Sequence, residues 1–116
     1  MINTRTKGTT TLLDVHGALT AGNGDAALRK AIRDAFEGGA ATVILNMQDV
    51  PAIDSSGVAA LASGHMTAAN RSGRMKLCCL SHKLTEVFVI MRLHTIFESY
   101  ATEADALASV PAQTST

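Results

Sequence analysis

Apolar and polar positions along the chain follow two alternating patterns, one typical of strands and one typical of helices. Short apolar or β-branched runs predict five strands, at 2–6, 9–16, 42–47, 75–80 and 96–100. Apolar residues three and four positions apart predict four helices, at 25–37, 56–70, 81–91 and 103–109. This order of elements predicts an α/β fold with a mixed, mostly parallel sheet of four or five strands and about four helices.

Each predicted helix has an apolar face or a candidate capping residue. The first face comprises Ala27, Leu28, Ala31, Ile32, Ala35 and Phe36. The second comprises Val58, Leu61, Ala62, His65 and Ala69, and the third Leu84, Val87, Phe88 and Met91. Asn23 or Asp25 is expected to cap the first helix, and Thr102 the last. The apolar run 87–91 indicates core packing with one or two exposed side chains, or else a partner surface.

Composition narrows the classes of protein that fit. Hydrophobic residues make up 47% of the 116 residues and charged residues 17%, as in a folded globular chain. The net charge is zero and 3% of the residues are aromatic, which disfavours nucleic-acid binding. No run approaches the roughly 18 apolar residues of a membrane span, and 1–11 lacks a signal-peptide pattern. We expect one cytoplasmic domain over 1–116, with its core at about 9–109 and a polar tail at 110–116.

Cys78 and Cys79 are adjacent in the fourth predicted strand, where neighbouring side chains point to opposite faces. We therefore do not expect the two thiols to pair readily, and we expect one buried and one partly exposed thiol in a reducing compartment. Because no further cysteine or histidine stands at ligand spacing, the pair predicts no metal site. The chain has neither a P-loop nor a Rossmann fingerprint, so no cofactor is expected.

The segment Asp54-Ser55-Ser56-Gly57 stands where the third predicted strand leads into the second predicted helix. Asp and Ser are ordinary helix caps that stabilise by about 1 kcal/mol each, and capping alone accounts for one of them. Gly57 costs about 1 kcal/mol in helix propensity, which indicates a close approach to the backbone. A phosphate on Ser55 would meet free N–H groups and the positive end of the helix dipole. Strand ends of this kind are also where α/β sheets bind ligands.

The run ILNMQDVPAIDSSG at 44–57 resembles the core signature of the STAS domain, a family that includes sulfate transporters and anti-sigma factor antagonists. VHGALT at 15–20 resembles the family's preceding strand, glycine and leucine-threonine step. GRMKL at 73–77 resembles its next strand, and 81–97 resembles its third helix and following strand. The resemblance covers about 9–109 and implies the STAS fold.

Stand-alone members of this family imply a phosphorylation-controlled protein-binding switch that is not an enzyme. By motif position, Ser55 is the phosphoacceptor. The same resemblance implies that Asp54 would orient the site and contact the partner, and that Ser56 and Gly57 would shape the helix start that docks. The implied partners are an anti-sigma factor that is also a serine-protein kinase, and a phosphatase. The unphosphorylated form binds the kinase and so frees a sigma factor, and the phosphorylated form is released.

Several alternatives stay open at this point. Ser56 competes with Ser55 as acceptor, because adjacent hydroxyls share one helix end. Other STAS roles are a scaffold subunit of a stress-sensing assembly and an accessory subunit of an ABC lipid-transport complex. A serine hydrolase is disfavoured, because no G-x-S-x-G motif is present and no histidine lies in a nucleophile motif. We expect a monomer or weak dimer without direct nucleic-acid or membrane contact. Met91-Arg92-Leu93 departs from the family pattern, in which a glycine often precedes the leucine.

Overall fold

The computed structural model describes residues 2–110, and within this range the strands form one five-stranded sheet in chain order. The strands are β1 (Ile2–Lys7), β2 (Thr10–His16), β3 (Thr42–Asp49), β4 (Arg74–Cys78) and β5 (Glu98–Tyr100). The helices are α1 (Asp25–Glu37), α2 (Ser55–Asn70), α3 (His82–Ile90) and α4 (Glu103–Ala108), with a 3-10 turn at Leu93–Thr95. β1 pairs antiparallel with β2 and the other pairs are parallel, which confirms the predicted mixed α/β fold. Of the predicted tail 110–116, Val110 is described and 111–116 lie outside the described residues.

The sheet has one thickly covered face and one thinly covered face. On the thick face, alternate residues of β2, β3 and β4 pack against α1, α2 and α3, as side chains alternate along a strand. This main core includes Leu13, Val15, Leu28, Ile32, Val43, Leu45, Leu61, Leu77, Leu84 and Phe88. On the opposite face, α4 covers a small cluster of Leu12, Ile44, Cys78 and Ala106. β3 is therefore the buried central strand that its apolar run predicts.

Helix α1 spans the predicted residues, but its cap prediction is wrong. Gly24 occupies the capping position with a φ of 82°, a left-handed backbone conformation that favours glycine. Asn23 instead donates from its amide to Thr20, and the Asp25 carboxylate accepts from the N–H of Ala26. The chain therefore enters α1 through a glycine turn rather than through a side-chain cap.

The predicted apolar face of α2 is largely wrong. Its buried residues are Gly57, Ala60, Leu61, Gly64 and Ala68. The predicted Ala62, His65 and Ala69 are exposed. Close packing selects the buried face: a Cβ on Gly64 would lie 2.6 Å from Ile32 Cδ1 and 2.9 Å from Met75 Sδ. Small residues on this face let α2 approach α1 and β4 closely. In a helix rich in alanine, side-chain hydrophobicity alone does not show which face is buried.

Helix α3 begins after Ser81, whose hydroxyl accepts a hydrogen bond from the N–H of Leu84 at 3.1 Å. Met91 was predicted to face the sheet, but it is 49% exposed. Val89 and Ile90 are also exposed, at 53% and 79%. The apolar run 87–91 thus leaves three side chains in solvent rather than one or two, because the helix ends at Ile90 and buries a narrow face.

Hydrogen bonds and ion pairs hold α4 against the thinly covered face of the sheet. Arg5 donates to Asp14 at 2.7 and 2.8 Å and to Glu103 at 2.5 and 3.1 Å, and Asn46 donates to Glu103 at 3.2 Å. The contact with Arg5 holds the pKa of Glu103 below its usual value. Thr102 caps α4 as predicted, because its hydroxyl accepts from the N–H of Asp105 at 3.0 Å.

The adjacent cysteines also lie on the thin face. Cys78 is buried and Cys79 is half-buried, as predicted. The expectation that their side chains point to opposite faces is wrong. Strand β4 ends at Cys78, and Cys79 has a left-handed φ of 64° that turns its side chain toward the same cluster.

Candidate functional site

The segment Asp54–Gly57 lies at the carboxyl edge of the parallel strands, where β3 leads into α2. The loop that follows β2 runs beside it. Leu19 forms an isolated parallel bridge with Ile53, and its N–H donates to the carbonyl of Ala52 at 3.0 Å. The N–H of Asp54 donates in turn to the carbonyl of Leu19 at 3.2 Å. The start of α2 is therefore held by hydrogen bonds to the connection after β2 as well as by the hydrogen bonds within the helix.

Asp54 organises the start of α2. Its Oδ1 accepts from the N–H groups of Ser56 at 2.8 Å and Gly57 at 3.1 Å. Its Oδ2 accepts from the N–H of Ala21, in the loop after β2, at 3.1 Å. These bonds, led by those from Ala21 and Gly57, hold the pKa of Asp54 below its usual value. The carboxylate is thus ionised at neutral pH, where it both caps the helix and joins it to the neighbouring loop.

The two serines of the segment differ in exposure. Ser55 is the first residue of α2 and is exposed, whereas Ser56 is half-buried. The expectation of free N–H groups for a phosphate is wrong for two donors of the first turn, because Asp54 already accepts from Ser56 and Gly57. Ser55 is therefore the more accessible of the two serines, and it directly follows the capping residue Asp54.

Gly57 is buried against the connection after β2. A Cβ on Gly57 would overlap the carbonyl oxygen of Leu19 and would lie 2.6 Å from Ile53 Cγ1. The close approach that the glycine predicted is therefore made by Leu19 of the same chain. A contact between Gly57 and a partner protein stays a prediction.

Other kinds of site, such as a ligand groove, a metal site or a histidine base, do not coincide with the segment Asp54–Gly57. A groove of about 730 Å³ lies between β1 and α1, and its lining, which includes Thr4, Thr6 and Ala31, contains no residue of 50–57. Among the described residues, no group of three histidine, cysteine or acidic side chains is arranged to hold a metal ion. His16 Nδ1 lies 2.9 Å from a carboxylate oxygen of Asp49, which is outside the segment Asp54–Gly57.

The fold, with Asp54 capping the helix that begins at Ser55, defines a class of small α/β domain. The sequence then identifies the family to which the chain belongs. The STAS domain model matches residues 1–106, and the chain belongs to the STAS domain family. No curated protein matches the chain significantly in sequence. Within residues 2–110, no helix combines the length and the apolar character needed to cross a membrane.

Many solved protein chains share the fold, including the following three. A candidate anti-sigma factor antagonist from Thermotoga maritima has a TM-score of 0.87 at 19% identity, over 96% of this chain and 95% of that chain. The Bacillus anti-sigma factor antagonist SpoIIAA, in its unphosphorylated form, has a TM-score of 0.70 at 24% identity, over 93% and 96%. A sulfate transporter family protein from Wolinella succinogenes has a TM-score of 0.76 at 21% identity, over 90% and 86%. SpoIIAA has also been solved in a phosphorylated form.

Proposed function

We propose that this protein is a non-enzymatic anti-sigma factor antagonist that is switched by phosphorylation of Ser55. When Ser55 is unphosphorylated, the protein binds an anti-sigma factor that is also a serine kinase, and a sigma factor is freed. The observation that carries this proposal is the exposed Ser55 at the first turn of α2, beside the Asp54 cap. Its occurrence in a STAS chain with the fold of SpoIIAA, a protein seen with and without phosphate, supports the assignment.

The charges around Ser55 provide the physical basis of the switch. A phosphate adds about −1.5 to −2 charges at pH 7. The ionised Asp54 is adjacent, and it already occupies the N–H groups of Ser56 and Gly57. A partner carboxylate about 4 Å from such a phosphate would oppose binding by about 2 kcal/mol even in water, which is more than tenfold in affinity. Phosphorylation thus acts on the interface and leaves the fold in place.

The remaining parts of the proposal follow from the same role. Asp54, Ser55, Ser56 and Gly57 form the docking surface at the start of α2. A phosphatase restores the unphosphorylated form. The chain works as one cytoplasmic domain over 1–116, as a monomer or weak dimer.

The test is a pull-down from cells of the source organism, read by mass spectrometry, with the native protein, Ser55→Ala and Ser55→Asp as baits. Ser56→Ala is the matched control, because it removes the neighbouring hydroxyl and leaves Ser55. We expect the Ser55→Ala and Ser56→Ala baits to retain the same kinase as the native bait with at most a small loss, because each removes one neutral hydroxyl of the docking surface, and Ser55→Asp to lose it at least about tenfold. Phosphate should appear on Ser55 in the native and Ser56→Ala proteins. Equal retention by Ser55→Asp, or phosphate on Ser56, would contradict the proposal.

A second candidate is a scaffold subunit of a stress-sensing assembly. The exposed apolar side chains Val89, Ile90, Met91 and Ile96 favour it, because large assemblies bury such surfaces. Sedimentation of the purified protein separates the two roles: a monomer or dimer supports the antagonist, and a large particle supports the scaffold. A gene for an ABC ATPase next to the gene for this chain would instead favour the accessory subunit of a lipid transporter.

A further inference from the structure

Cys78 and Cys79 pack against the same small cluster beneath α4. Cys78 is buried with Leu12, Ile44 and Ala106, and Cys79 packs against this group from its edge. The two thiols are thus neighbours in space as well as in sequence. Burial, and then interaction with the Cys79 side chain, raises the pKa of Cys78 to about 12.

The backbone at Cys79 holds the two side chains together. Its φ of 64° is left-handed, which costs a non-glycine residue about 1–2 kcal/mol. Such a conformation persists where the surroundings determine it. Here the N–H of Cys79 donates to the carbonyl of Tyr100 at 3.0 Å and continues the ladder between β4 and β5. The sheet edge therefore keeps Cys79 turned toward Cys78.

We propose that Cys78 and Cys79 are an oxidation site, at which a hydroperoxide converts the two thiols into a disulfide between adjacent residues. The half-buried Cys79 reacts first: its thiolate attacks the peroxide oxygen, the O–O bond breaks, and the sulfur becomes a sulfenic acid. The other peroxide oxygen leaves as water or an alcohol. The Cys78 sulfur then attacks the Cys79 sulfur, the S–S bond forms, and the sulfenic oxygen leaves as water with the Cys78 proton. Two electrons pass from the two thiols to one hydroperoxide.

The raised pKa of Cys78 is consistent with its role as the thiol that reacts second, by attacking the oxidised Cys79 sulfur. It keeps Cys78 protonated and slow to react with peroxide directly. It also slows the attack on Cys79, but the two sulfurs belong to adjacent residues. Because the attack is intramolecular, the Cys78 sulfur reaches the oxidised Cys79 sulfur without a diffusive encounter, which partly offsets the low thiolate fraction.

The resulting bond is expected to be easily reduced. Adjacent Cα atoms are about 3.8 Å apart across a trans peptide, whereas disulfides usually join Cα atoms about 4.4–6.8 Å apart. The ring is therefore strained, and strained disulfides are the labile ones. Cys79 also stands two residues before Ser81, the cap of α3, so ring closure acts on the connection into that helix.

The test treats the full chain with hydrogen peroxide and measures intact mass and free thiols after denaturation. We expect the native protein to lose both thiols together and the mass of two hydrogen atoms, and dithiothreitol to restore them. Phenylarsine oxide, which bridges paired thiols, should add once per chain and block both. Cys79→Ala should keep its Cys78 thiol, whereas Cys78→Ala should give a sulfenic acid that dimedone traps.

Loss of a single thiol from the native chain, or disulfides only between chains, would overturn the proposal. Because Cys78→Ala changes a buried side chain, circular dichroism checks its fold. If that variant fails to fold, the native and Cys79→Ala proteins decide the outcome, since Cys79 is half-buried and its removal leaves the core intact.

Discussion

Gly57→Ala tests whether the start of α2 is held by close packing against the connection after β2. The added methyl group would overlap the carbonyl oxygen of Leu19 and crowd Ile53 Cγ1, 2.6 Å away. Gly64→Ala is a matched control in the same helix. There the crowded atoms are Ile32 Cδ1 and Met75 Sδ, which belong to side chains rather than to the backbone.

The expected effect is a balance of opposing terms. Alanine is preferred over glycine within a helix by about 1 kcal/mol. Overpacking costs about 1–3 kcal/mol, and the upper part of that range applies where the obstacle is backbone. We expect Gly57→Ala to lower the free energy of unfolding by about 1–2 kcal/mol, because α2 must move away from Leu19. Gly64→Ala should lower it by less, because its obstacles are side chains, which can shift further than a backbone carbonyl, and the helix gains propensity.

Urea unfolding followed by circular dichroism measures both variants against the native protein. Gly57→Ala should also weaken binding of the partner kinase in the pull-down, because the displaced helix start carries Ser55. A Gly57→Ala protein as stable as Gly64→Ala would show that α2 is free to shift, and would refute the packing account of Gly57. Lost stability with unchanged kinase binding would uphold that account and would place the docking surface elsewhere.

Four further substitutions test other features of the fold. Asp54→Asn removes a carboxylate whose pKa is lowered by folding, so the native protein should be the more stable above about pH 4 and lose this advantage as the pH falls. Urea titrations at neutral and acid pH that show a constant difference would contradict this. Arg92→Gly replaces a residue with a left-handed φ of 58°, and thermal unfolding should show a gain of about 0.5–1 kcal/mol; a loss would refute it. Lys76 is buried with its Nζ 2.7 Å from Glu98, which is 49% exposed, so Glu98→Gln should cost about 1 kcal/mol while Lys76→Met stays within about 1 kcal/mol of native. The reverse order in chemical denaturation would contradict that reasoning.

Strong periodicity made the elements predictable. Helix α1 has the predicted bounds because large apolar residues, Leu28, Ile32 and Phe36, recur on one face. In α2 the pattern of apolar residues predicted the bounds of the helix to within one residue, but it predicted the wrong buried face. Glycine and alanine occur all round α2, and its buried side depends on atoms of Ile32 and Met75 that are distant in sequence.

The buried Lys76 was missed for a related reason. A lysine between Met75 and Leu77 in a strand predicts a solvent-facing side chain, yet Lys76 is 3% exposed. Its partner Glu98 stands in β5, and its Nζ lies 5.5 Å from the ring centroid of Tyr100. The spacing of Glu98 and Tyr100 on one face of a short strand is the signal that could have indicated an ion pair at that edge.

The sequence predicted which segment forms the candidate site, but it did not predict the contacts that hold this segment. Strand, serine and glycine identify where α2 begins. The bond from Ala21 to Asp54 joins residues 33 positions apart, and no local pattern predicts it. Leu19 belongs to the segment 15–20 that resembles the family, and its burial shows why that segment matters: Leu19 lies directly under Gly57.

These contacts decide what a phosphate on Ser55 would do. Asp54 receives three N–H donors from two parts of the chain, Ala21 in one and Ser56 and Gly57 in the other. A phosphate that displaced this carboxylate would also break the hydrogen bond from Ala21, one of the contacts that join the loop after β2 to the start of α2. The less costly arrangement keeps Asp54 in place and leaves the phosphate in solvent beside it, where two anionic groups repel any acidic surface. A switch built in this way changes which surfaces can dock on α2 while the sheet and helices beneath it stay the same.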